Sequence, residues 1–266
     1  MRKLNTLNLR LFHTPLNSRN HFSTVLIKTN WYTTSCKCQN CVGLTKIEIP
    51  KTVTRIEGEV FHGCTNLGNI VVAEENKAYD SRDNCNAIIE TYTNTLIAGC
   101  KNTTIPDSVK TIKGKAFGDC VGLTSINIPN SVRDIWPRAF ENCVSLAKVV
   151  MGNSVAEIGF KAFENCHNLV SINIPNSVTY LDGYAFANCT SLASIEIPNS
   201  ITEIKRGLFQ GCSQLKSVII PGSVTSIKEL AFDGCDALEN IYVPSGMVDY
   251  YKGLIPNNLK SMVKEL

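Results

Sequence analysis

The sequence lacks the features that mark several functional classes of protein. No run of about 18 apolar residues is present, so no transmembrane helix is expected. P-loop, G-x-S-x-G and H-E-x-x-H motifs are missing, which removes the common signatures of nucleotide binding, acyl transfer and zinc proteolysis. The net charge is only +3, and the chain has no basic stripe of the kind that nucleic-acid binding requires.

Acidic residues are absent from the first 47 positions, which hold seven Lys or Arg, whereas the remainder has 19 basic and 23 acidic residues. The longest apolar run there, Val25-Leu26-Ile27, is far shorter than the core of a secretory signal peptide. Arginine, hydroxyl residues and missing acids are also typical of transit peptides. We predict an irregular or disordered leader over residues 1–35, and the sequence leaves the compartment of the protein open.

A step of 23 residues is the strongest pattern in the chain. One Phe position recurs with this step, a Cys follows it three residues later, and an apolar residue before Pro keeps the same register. Met151 is the exception to that last rule, because Gly follows it. The repeated Phe and Cys positions are Phe61, Phe117, Phe140, Phe163, Phe186, Phe209, Phe232, Cys64, Cys120, Cys143, Cys166, Cys189, Cys212 and Cys235.

The number of repeats follows from the same positions. Cys41 lies 23 residues before Cys64, and the step from Phe61 to Phe117 is 56, which is one repeat plus an insertion of 33. Eight cysteines in register therefore predict about eight coils, one of them lengthened. We expect a repeat solenoid over residues 36–244, with each coil burying the apolar side of the next.

One coil reads L-x-x-I-x-I-P-x-S-V-x-x-I-x-x-x-A-F-x-x-C, as in residues 123–143. Ser125–Ile128 alternates polar and apolar residues, which predicts a half-buried strand, and Pro129 then turns the chain. Val132 and Ile135 indicate a second short strand. The three- and four-residue spacings that follow favour a helical turn or a 3₁₀ segment.

The L-x-x-I-x-I spacing matches the leucine-rich-repeat pattern. More narrowly, I-P-x-S-V-x-x-I-x-x-x-A-F-x-x-C-x-x-L resembles the BspA-like (Treponema pallidum-type) leucine-rich repeats over about residues 38–244. The resemblance implies a right-handed stack of β-containing coils. It also implies a surface or secreted protein that mediates adhesion, since members of that family are typically bacterial or protist surface proteins.

Two segments depart from the repeat. Within the long coil at 70–104, strand patterns at Asn86–Glu90 and Thr95–Ala98 predict a β-hairpin. Asp80, Asp83 and Asn84 beside it suit either calcium or ordinary turn chemistry. At the other end, residues 245–266 predict a helical cap, with one helix over Val248, Tyr251 and Leu254 and a second over Leu259, Met262, Val263 and Leu266.

Twelve cysteines raise the question of disulfides and metals. Parallel side chains on adjacent coils are too far apart for disulfides, so we predict a ladder of buried free thiols whose S–H groups reach neighbouring carbonyls. Cys36-x-Cys38-x-x-Cys41 resembles a zinc ligand set but has no second ligand pair at a usable spacing. Equivalent thiols also argue against one special nucleophile, so no enzyme, metal or cofactor is expected.

The outward positions are left to carry function. Trp136, Phe160 and Tyr184 stand on three successive coils, where they either form an exposed cluster or pack locally over the coil edge. The sequence thus predicts a protein ligand, with a spacer or a fragment of a longer array as the alternative. The candidate binding residues are Trp136, Phe160, Tyr180, Tyr184, Arg133, Glu196 and Tyr242.

Overall fold

The computed structural model describes residues 40–56 and 60–266 and, before them, the backbone of Thr6–Leu9 and Thr24–Ile27. The chain is a β-solenoid of about nine stacked coils about 23 residues apart, with a small helix near the C-terminus. The predicted repeat solenoid is confirmed, with about one coil more than the cysteine count indicates.

The first strand of each coil lies in a parallel ladder. Ile126 and Ile128 point into the core while Asn127 is exposed, and Lys148–Met151 pairs with this strand in a register shifted by 23 residues. Strands at equivalent positions form two further parallel sheets, one of Thr6–Leu9, Thr24–Ile27, Lys46–Ile49 and Asn69–Val72, and one of Ser194–Glu196, Ser217–Ile219, Asn240–Val243 and Val263–Glu265. We call these three sheets together the first ladder.

The N-terminal region differs from the prediction at two segments. Thr6–Leu9 pairs in parallel with Thr24–Ile27, which in turn pairs with Lys46–Ile49, so both segments extend the first ladder. An irregular leader over residues 1–35 is therefore wrong for these eight residues. Their spacings of 18 and 22 residues fall outside the 23-residue register, which explains why the sequence pattern does not identify them.

The second strands are only two residues long and form their own parallel ladder. Ile135 is fully buried between Ile112 and Ile158, to which it is paired in register. One sheet contains Thr111–Ile112, Asp134–Ile135, Glu157–Ile158 and Tyr180–Leu181, and Thr95–Ala98 extends it by pairing with Thr111–Ile112. A separate sheet contains Glu203–Ile204 and Ser226–Ile227. We call the strands of both sheets the second ladder. From Ile105 onward, the inward residues of both ladders share one apolar core, so the two ladders form two separate outer faces. The inward residues of Lys46–Ile49 and Asn69–Val72 belong to a second cluster.

The third side of each coil is a hydrogen-bonded turn, and the predicted helical segment is wrong there. Two residues per coil have positive φ, for example Arg138 at 62° and Asn142 at 60°. A left-handed residue ends a helical run and aims its N–H along the solenoid axis. The amide of Phe140 accordingly donates to the carbonyl of Ala162 on the next coil (2.8 Å).

Phenylalanine and cysteine form two columns beneath this turn. The rings from Phe117 to Phe232 stack nearly parallel, with successive centroids 4.8–5.9 Å apart. Each thiol from Cys143 to Cys235 donates to the carbonyl of the Phe of the preceding coil, at 3.1–3.3 Å. This is the predicted contact of a free-thiol ladder. Burial raises the thiol pKa values, to about 12 for Cys189.

A ladder of carboxamides runs beside the thiols and was not identified from the sequence. Asn142 donates to Asp119 (2.7 Å), Asn165 to Asn142 (2.7 Å) and Asn188 to Asn165 (2.9 Å). All four residues have a φ of 57–60°, which Asn and Asp tolerate better than most residues. The 23-residue recurrence of Asn two positions after Phe is the signal that would have found it.

The long coil contains the inserted hairpin. Ile88–Glu90 pairs antiparallel with Thr95–Ala98, and Tyr79–Asp80 adds a third strand. A 3₁₀ turn at Arg82–Asn84 connects Tyr79–Asp80 to the hairpin. The Arg82 guanidinium donates to both carboxylate oxygens of Asp80 (2.8 and 2.5 Å). Because the Arg82 guanidinium already pairs with the Asp80 carboxylate, ordinary turn chemistry explains the presence of Asp80 without a calcium ion.

The C-terminal cap is partly helical. Val248–Leu254 is an α-helix, as predicted, and Asn257–Met262 is a 3₁₀ helix. The predicted helix through residue 266 is wrong, because Val263–Glu265 is a strand that pairs in parallel with Asn240–Val243. The unpaired main chain of the last coil favours that strand, since buried N–H and C=O groups need partners.

Replacing Phe163 by Ala removes a fully buried ring from the middle of the Phe column. We expect the free energy of unfolding to fall by about 3–5 kcal/mol, as for other large-to-small core substitutions. Urea denaturation followed by circular dichroism measures it. Phe160→Ala, at a half-buried ring outside the column, is the control, and an equal loss in both variants would contradict the assignment of Phe163 to the core.

The ten described cysteines should be protected in the folded protein. In a Cys36→Ser, Cys38→Ser background, we expect slow reaction with DTNB at mildly alkaline pH, because the thiols are largely buried and their pKa values are raised. All ten should react rapidly in urea. Rapid modification of several thiols in the native protein would show that the ladder is not intact.

Candidate functional site

Two aromatic side chains project from the second ladder. Trp136 follows the strand Asp134–Ile135, and Tyr180 is the outward residue of Tyr180–Leu181. They are 44% and 43% exposed, while the neighbouring Ile135 and Leu181 are buried. The period-two alternation of a strand explains this, because a short strand with one inward residue must present its neighbours to solvent.

Phe160 and Tyr184 pack against each other at the adjoining turns. Their ring centroids are 5.8 Å apart in an edge-to-face arrangement, and the Lys161 ammonium lies 5.5 Å from each centroid. A Cβ at Gly207 would lie 2.4 Å from the Tyr184 ring, so this ring rests directly on the next coil's main chain. Local packing therefore accounts for these two half-buried aromatics. Within the described residues, Trp136 has no ring contact with them.

Paired charges surround the aromatic residues. Arg206 donates to the Tyr184 hydroxyl (2.9 Å) and forms an ion pair with Glu229. Glu203 is paired with both Lys205 and Lys228, whose hydrogen bonds lower its pKa. The nearby Asp182 carboxylate raises the pKa of Tyr180, and the Lys205 ammonium lies 5.9 Å from that ring. The surface thus combines exposed aromatic area with charges of both signs.

Of the other three candidate residues, two lie apart from this surface. Arg133 is exposed just before the strand Asp134–Ile135, on the same side of the coil as Trp136. Glu196 and Tyr242 belong to the first ladder, on strands Ser194–Glu196 and Asn240–Val243. Since the two ladders are different sheets, the structure does not gather all seven candidates into one site. We call Trp136, Phe160, Tyr180 and Tyr184 the aromatic surface.

Two features of the exterior were missed from the sequence. Tyr92 is 95% exposed in the connection between the hairpin strands Ile88–Glu90 and Thr95–Ala98. An open groove of about 560 Å³ lies beside Gly152, where other coils carry Pro, and Asn127, Asn130 and Val150 are among its lining residues. The absence of proline after Met151 is the sequence signal that could have identified this groove.

The cysteine, histidine and acidic side chains bear on metal binding and on nucleophilic catalysis. No group of three or more His, Cys, Asp or Glu side chains that could hold a metal occurs among them. Cys36 and Cys38 of the proposed cluster lie outside the described residues. Desolvation raises the pKa of Cys85 to about 11 and of Cys120 to about 12, so these thiols are not the activated thiolates that nucleophilic catalysis uses. None of the described helices is long and apolar enough for a membrane span.

Comparison with known families gives a match to the BspA type Leucine rich repeat region, in six copies over residues 32–93, 87–181 and 134–260. No relative was found among curated proteins. The matched region contains the aromatic surface, the second ladder, and the strands of the first ladder from Lys46–Ile49 to Asn240–Val243.

Several solved structures are similar to this chain. A leucine rich cell surface protein from Faecalibacterium prausnitzii is 27% identical, with a TM-score of 0.56 over 93% of this chain and 62% of that one. A leucine-rich repeat protein from Bacteroides ovatus is 25% identical, with a TM-score of 0.57 over 100% and 74%. The pneumococcal vaccine antigen PcpA, at 17% identity and a TM-score of 0.55 over 94% and 59%, shares the fold. The chain spans less than two thirds of the Faecalibacterium protein.

Glu141 and Glu164 occupy equivalent positions on adjacent turns next to Lys161. Lys161 pairs with Glu164 (3.0 Å) and Arg138 approaches Glu141 (3.8 Å). Burial, followed by the contact with the Glu164 carboxyl, raises the pKa of Glu141 above its usual 4.5. A raised pKa in the folded state means that ionised Glu141 weakens the fold above that pKa, and that the penalty disappears below the unfolded-state pKa.

Glu141→Gln should therefore stabilise the protein at pH 7, with the gain shrinking as the pH falls toward and below about 4.5. Thermal unfolding at a series of pH values measures this difference. The same substitution at exposed Glu196 serves as the control. A variant less stable than the wild type at pH 7 would show that the attraction of Arg138 outweighs the burial of the carboxylate.

Proposed function

Because the chain belongs to the BspA-type leucine-rich repeat family, we propose that it is a non-enzymatic, protein-binding solenoid that acts in adhesion or recognition at the cell surface. The observation that carries the proposal is the pair of exposed aromatic side chains, Trp136 and Tyr180, on a ladder of rigid strands. Trp and Tyr dominate the binding energy of protein interfaces because each buries a large area with few rotatable bonds.

The solenoid supports such an interface by fixing its side chains in advance. The ladder holds Asp134–Ile135 and Glu157–Ile158 in register, so the main chain beside Trp136 loses little conformational entropy on binding. Phe160 and Tyr184 flank the exposed pair and are themselves locked by packing. Lys161, Lys205 and Arg206 add charged groups whose partners are already present, which suits the polar rim of an interface.

The non-enzymatic part of the proposal is supported by the chemistry of the cysteines. The thiols of the column share one environment, in which each donates to a main-chain carbonyl and burial raises the thiol pKa. A nucleophile requires a setting that differs from its neighbours and lowers its pKa. The thiol column is consistent with packing instead.

A role in adhesion rests on similarity alone. The Faecalibacterium structure is described as a cell surface protein, and its 27% identity extends over 93% of this chain. Because this chain spans only 62% of that protein, the partners and location of the whole relative carry over only as part of the proposal. Biotinylation of intact producing cells with a membrane-impermeant reagent tests the location, and labelling only after lysis would contradict a surface role.

Binding through the aromatic surface can be tested without a known ligand. A random-peptide phage library is selected on the immobilised wild-type protein, and the enriched peptides are synthesised and measured by biolayer interferometry. Replacing Trp136 and Tyr180 by Ala should weaken the wild-type affinity at least about tenfold, since hot-spot aromatics typically contribute 1–2 kcal/mol or more. Both side chains are half-exposed on the outside of the coils, so the double variant should keep its fold.

The matched control is Glu196→Ala, Tyr242→Ala, which removes two outward side chains of the first ladder. Peptides that bind the control variant but not the Trp136→Ala, Tyr180→Ala variant would support the aromatic surface. Equal binding to both variants would place the contact elsewhere. A selection that enriches no peptide would favour the alternative of a spacer without a ligand of its own.

A further inference from the structure

The turns of successive coils are joined by one repeated set of three hydrogen bonds. In each set, the N–H groups of three alternate residues donate to the carbonyls of residues 22 positions later. Gly207 donates to Glu229 (3.1 Å), Phe209 to Ala231 (2.9 Å) and Gly211 to Asp233 (2.7 Å). From Arg138 onward, each turn therefore presents three donors toward the C-terminal end of the stack, and the next coil supplies three acceptors.

The N–H donors of the last of these turns have no acceptors within the described residues. The N–H groups of Leu230, Phe232 and Gly234 occupy the donor positions of this coil, and they have no hydrogen-bond partner in the part of the chain that the structure describes. The cap satisfies other groups instead. Val263–Glu265 pairs with the first ladder, and the buried Tyr251 hydroxyl donates to the carbonyls of Pro221 and Val224 (2.6 and 3.0 Å).

A pocket of about 210 Å³ lies between this open turn and the cap. Phe232, the last ring of the Phe column, forms one wall, and the other uncharged lining residues are Ile227, Leu230, Ala231, Pro256, Leu259 and the polar Asn258. The two charged residues at the pocket are turned toward the preceding coil. Lys228 pairs with Glu203 (2.9 Å), and Asp233 accepts from Gln210 (3.1 Å).

Leu230 is the unusual residue of this turn. It has a φ of 61°, a left-handed conformation that costs a bulky side chain about 1–2 kcal/mol. The same column carries Lys115, Arg138, Lys161, Tyr184 and Gly207 in the preceding coils. An aliphatic side chain thus appears at the one turn whose donors are open, and it lines the pocket there.

We infer that the C-terminal end of the solenoid binds a segment of a protein ligand, which adds to the turn ladder as its next rung. Three alternate carbonyls of the segment accept hydrogen bonds from Leu230, Phe232 and Gly234, and an aromatic side chain between them enters the pocket beside Phe232 and Leu230. The occupant is a neutral main chain with an aromatic centre, because the free main-chain groups of this turn are N–H donors and the adjoining charges are already paired. Asn258, the remaining polar residue of the lining, is uncharged. This site is separate from the aromatic surface.

The chain itself contains a probe of this chemistry. Residues 203–211 (Glu-Ile-Lys-Arg-Gly-Leu-Phe-Gln-Gly) form a rung whose carbonyls at Arg206, Leu208 and Gln210 accept from the preceding coil (3.1, 3.1 and 2.6 Å). Both of its left-handed positions are Gly, so a synthetic peptide can adopt the turn without strain. Phe209 of this rung lies against Phe186 of the preceding coil in the folded chain (centroids 5.9 Å apart), so the same residue in the peptide can approach Phe232 from the pocket side.

Fluorescence anisotropy with the labelled nonapeptide and the full chain tests the inference. We expect saturable binding that weakens at least about tenfold when the peptide's Phe is replaced by Ala or when Leu230 is replaced by Lys. Lys115 and Lys161 adopt the same φ in this column, so Leu230→Lys should fold. Val170→Lys, an apolar-to-lysine change at an exposed position away from this end, should bind as the wild type does.

Amide hydrogen exchange followed by NMR locates the contact. The peptide should slow exchange at Leu230, Phe232 and Gly234 and leave the amides beside Trp136 and Tyr180 unchanged. Absence of saturable binding, equal affinity of the Leu230→Lys variant, or protection confined to other residues would each overturn the inference. None of these results bears on the aromatic surface, which the Trp136→Ala, Tyr180→Ala variant tests independently.

Discussion

The structure depends on the transfer of main-chain hydrogen bonds from one coil to the next. The extended parts of a coil pair with its neighbours, because its two strands belong to different ladders and its third side is a turn. Buried N–H and C=O groups cost free energy when unpaired, so a coil is stable only between two others. The same stacking places equivalent side chains about one strand spacing apart, which accounts for the Phe centroids at 4.8–5.9 Å.

That spacing constrains the interior far more than the exterior. A column of equivalent side chains is stable only if each side chain packs well against an identical one on the next coil. Flat rings, thiols that donate to a carbonyl, and carboxamides that both donate and accept all satisfy this condition. Outward positions carry no such condition. The column that includes Lys161, Tyr184 and Leu230 requires a left-handed main chain but varies freely in chemistry. Binding chemistry can therefore change from coil to coil while the core repeats.

Interruptions of the stack are handled by local pairing. The inserted segment forms a hairpin whose strands satisfy each other, so the coil can be lengthened without exposing main chain to the core. At the C-terminal end, the cap supplies a parallel strand for the first ladder and the Tyr251 hydroxyl for two carbonyls. It supplies no main-chain acceptor for Leu230, Phe232 and Gly234 within the described residues, so this end of the stack differs chemically from the turn interfaces that precede it.

The sequence by itself determined the repeat, the alternation of the first strands, the hairpin and the thiol column, because each of these follows from residue spacing and short-range geometry. Tertiary structure decided the rest. Thr6–Leu9 and Thr24–Ile27 stand outside the 23-residue register, and Val263–Glu265 follows a helical pattern yet becomes a strand, since an open ladder edge stabilises pairing more than local periodicity favours a helix. The separation of Glu196 and Tyr242 from Trp136 also required the fold, because a linear pattern identifies outward residues but not the face on which they lie.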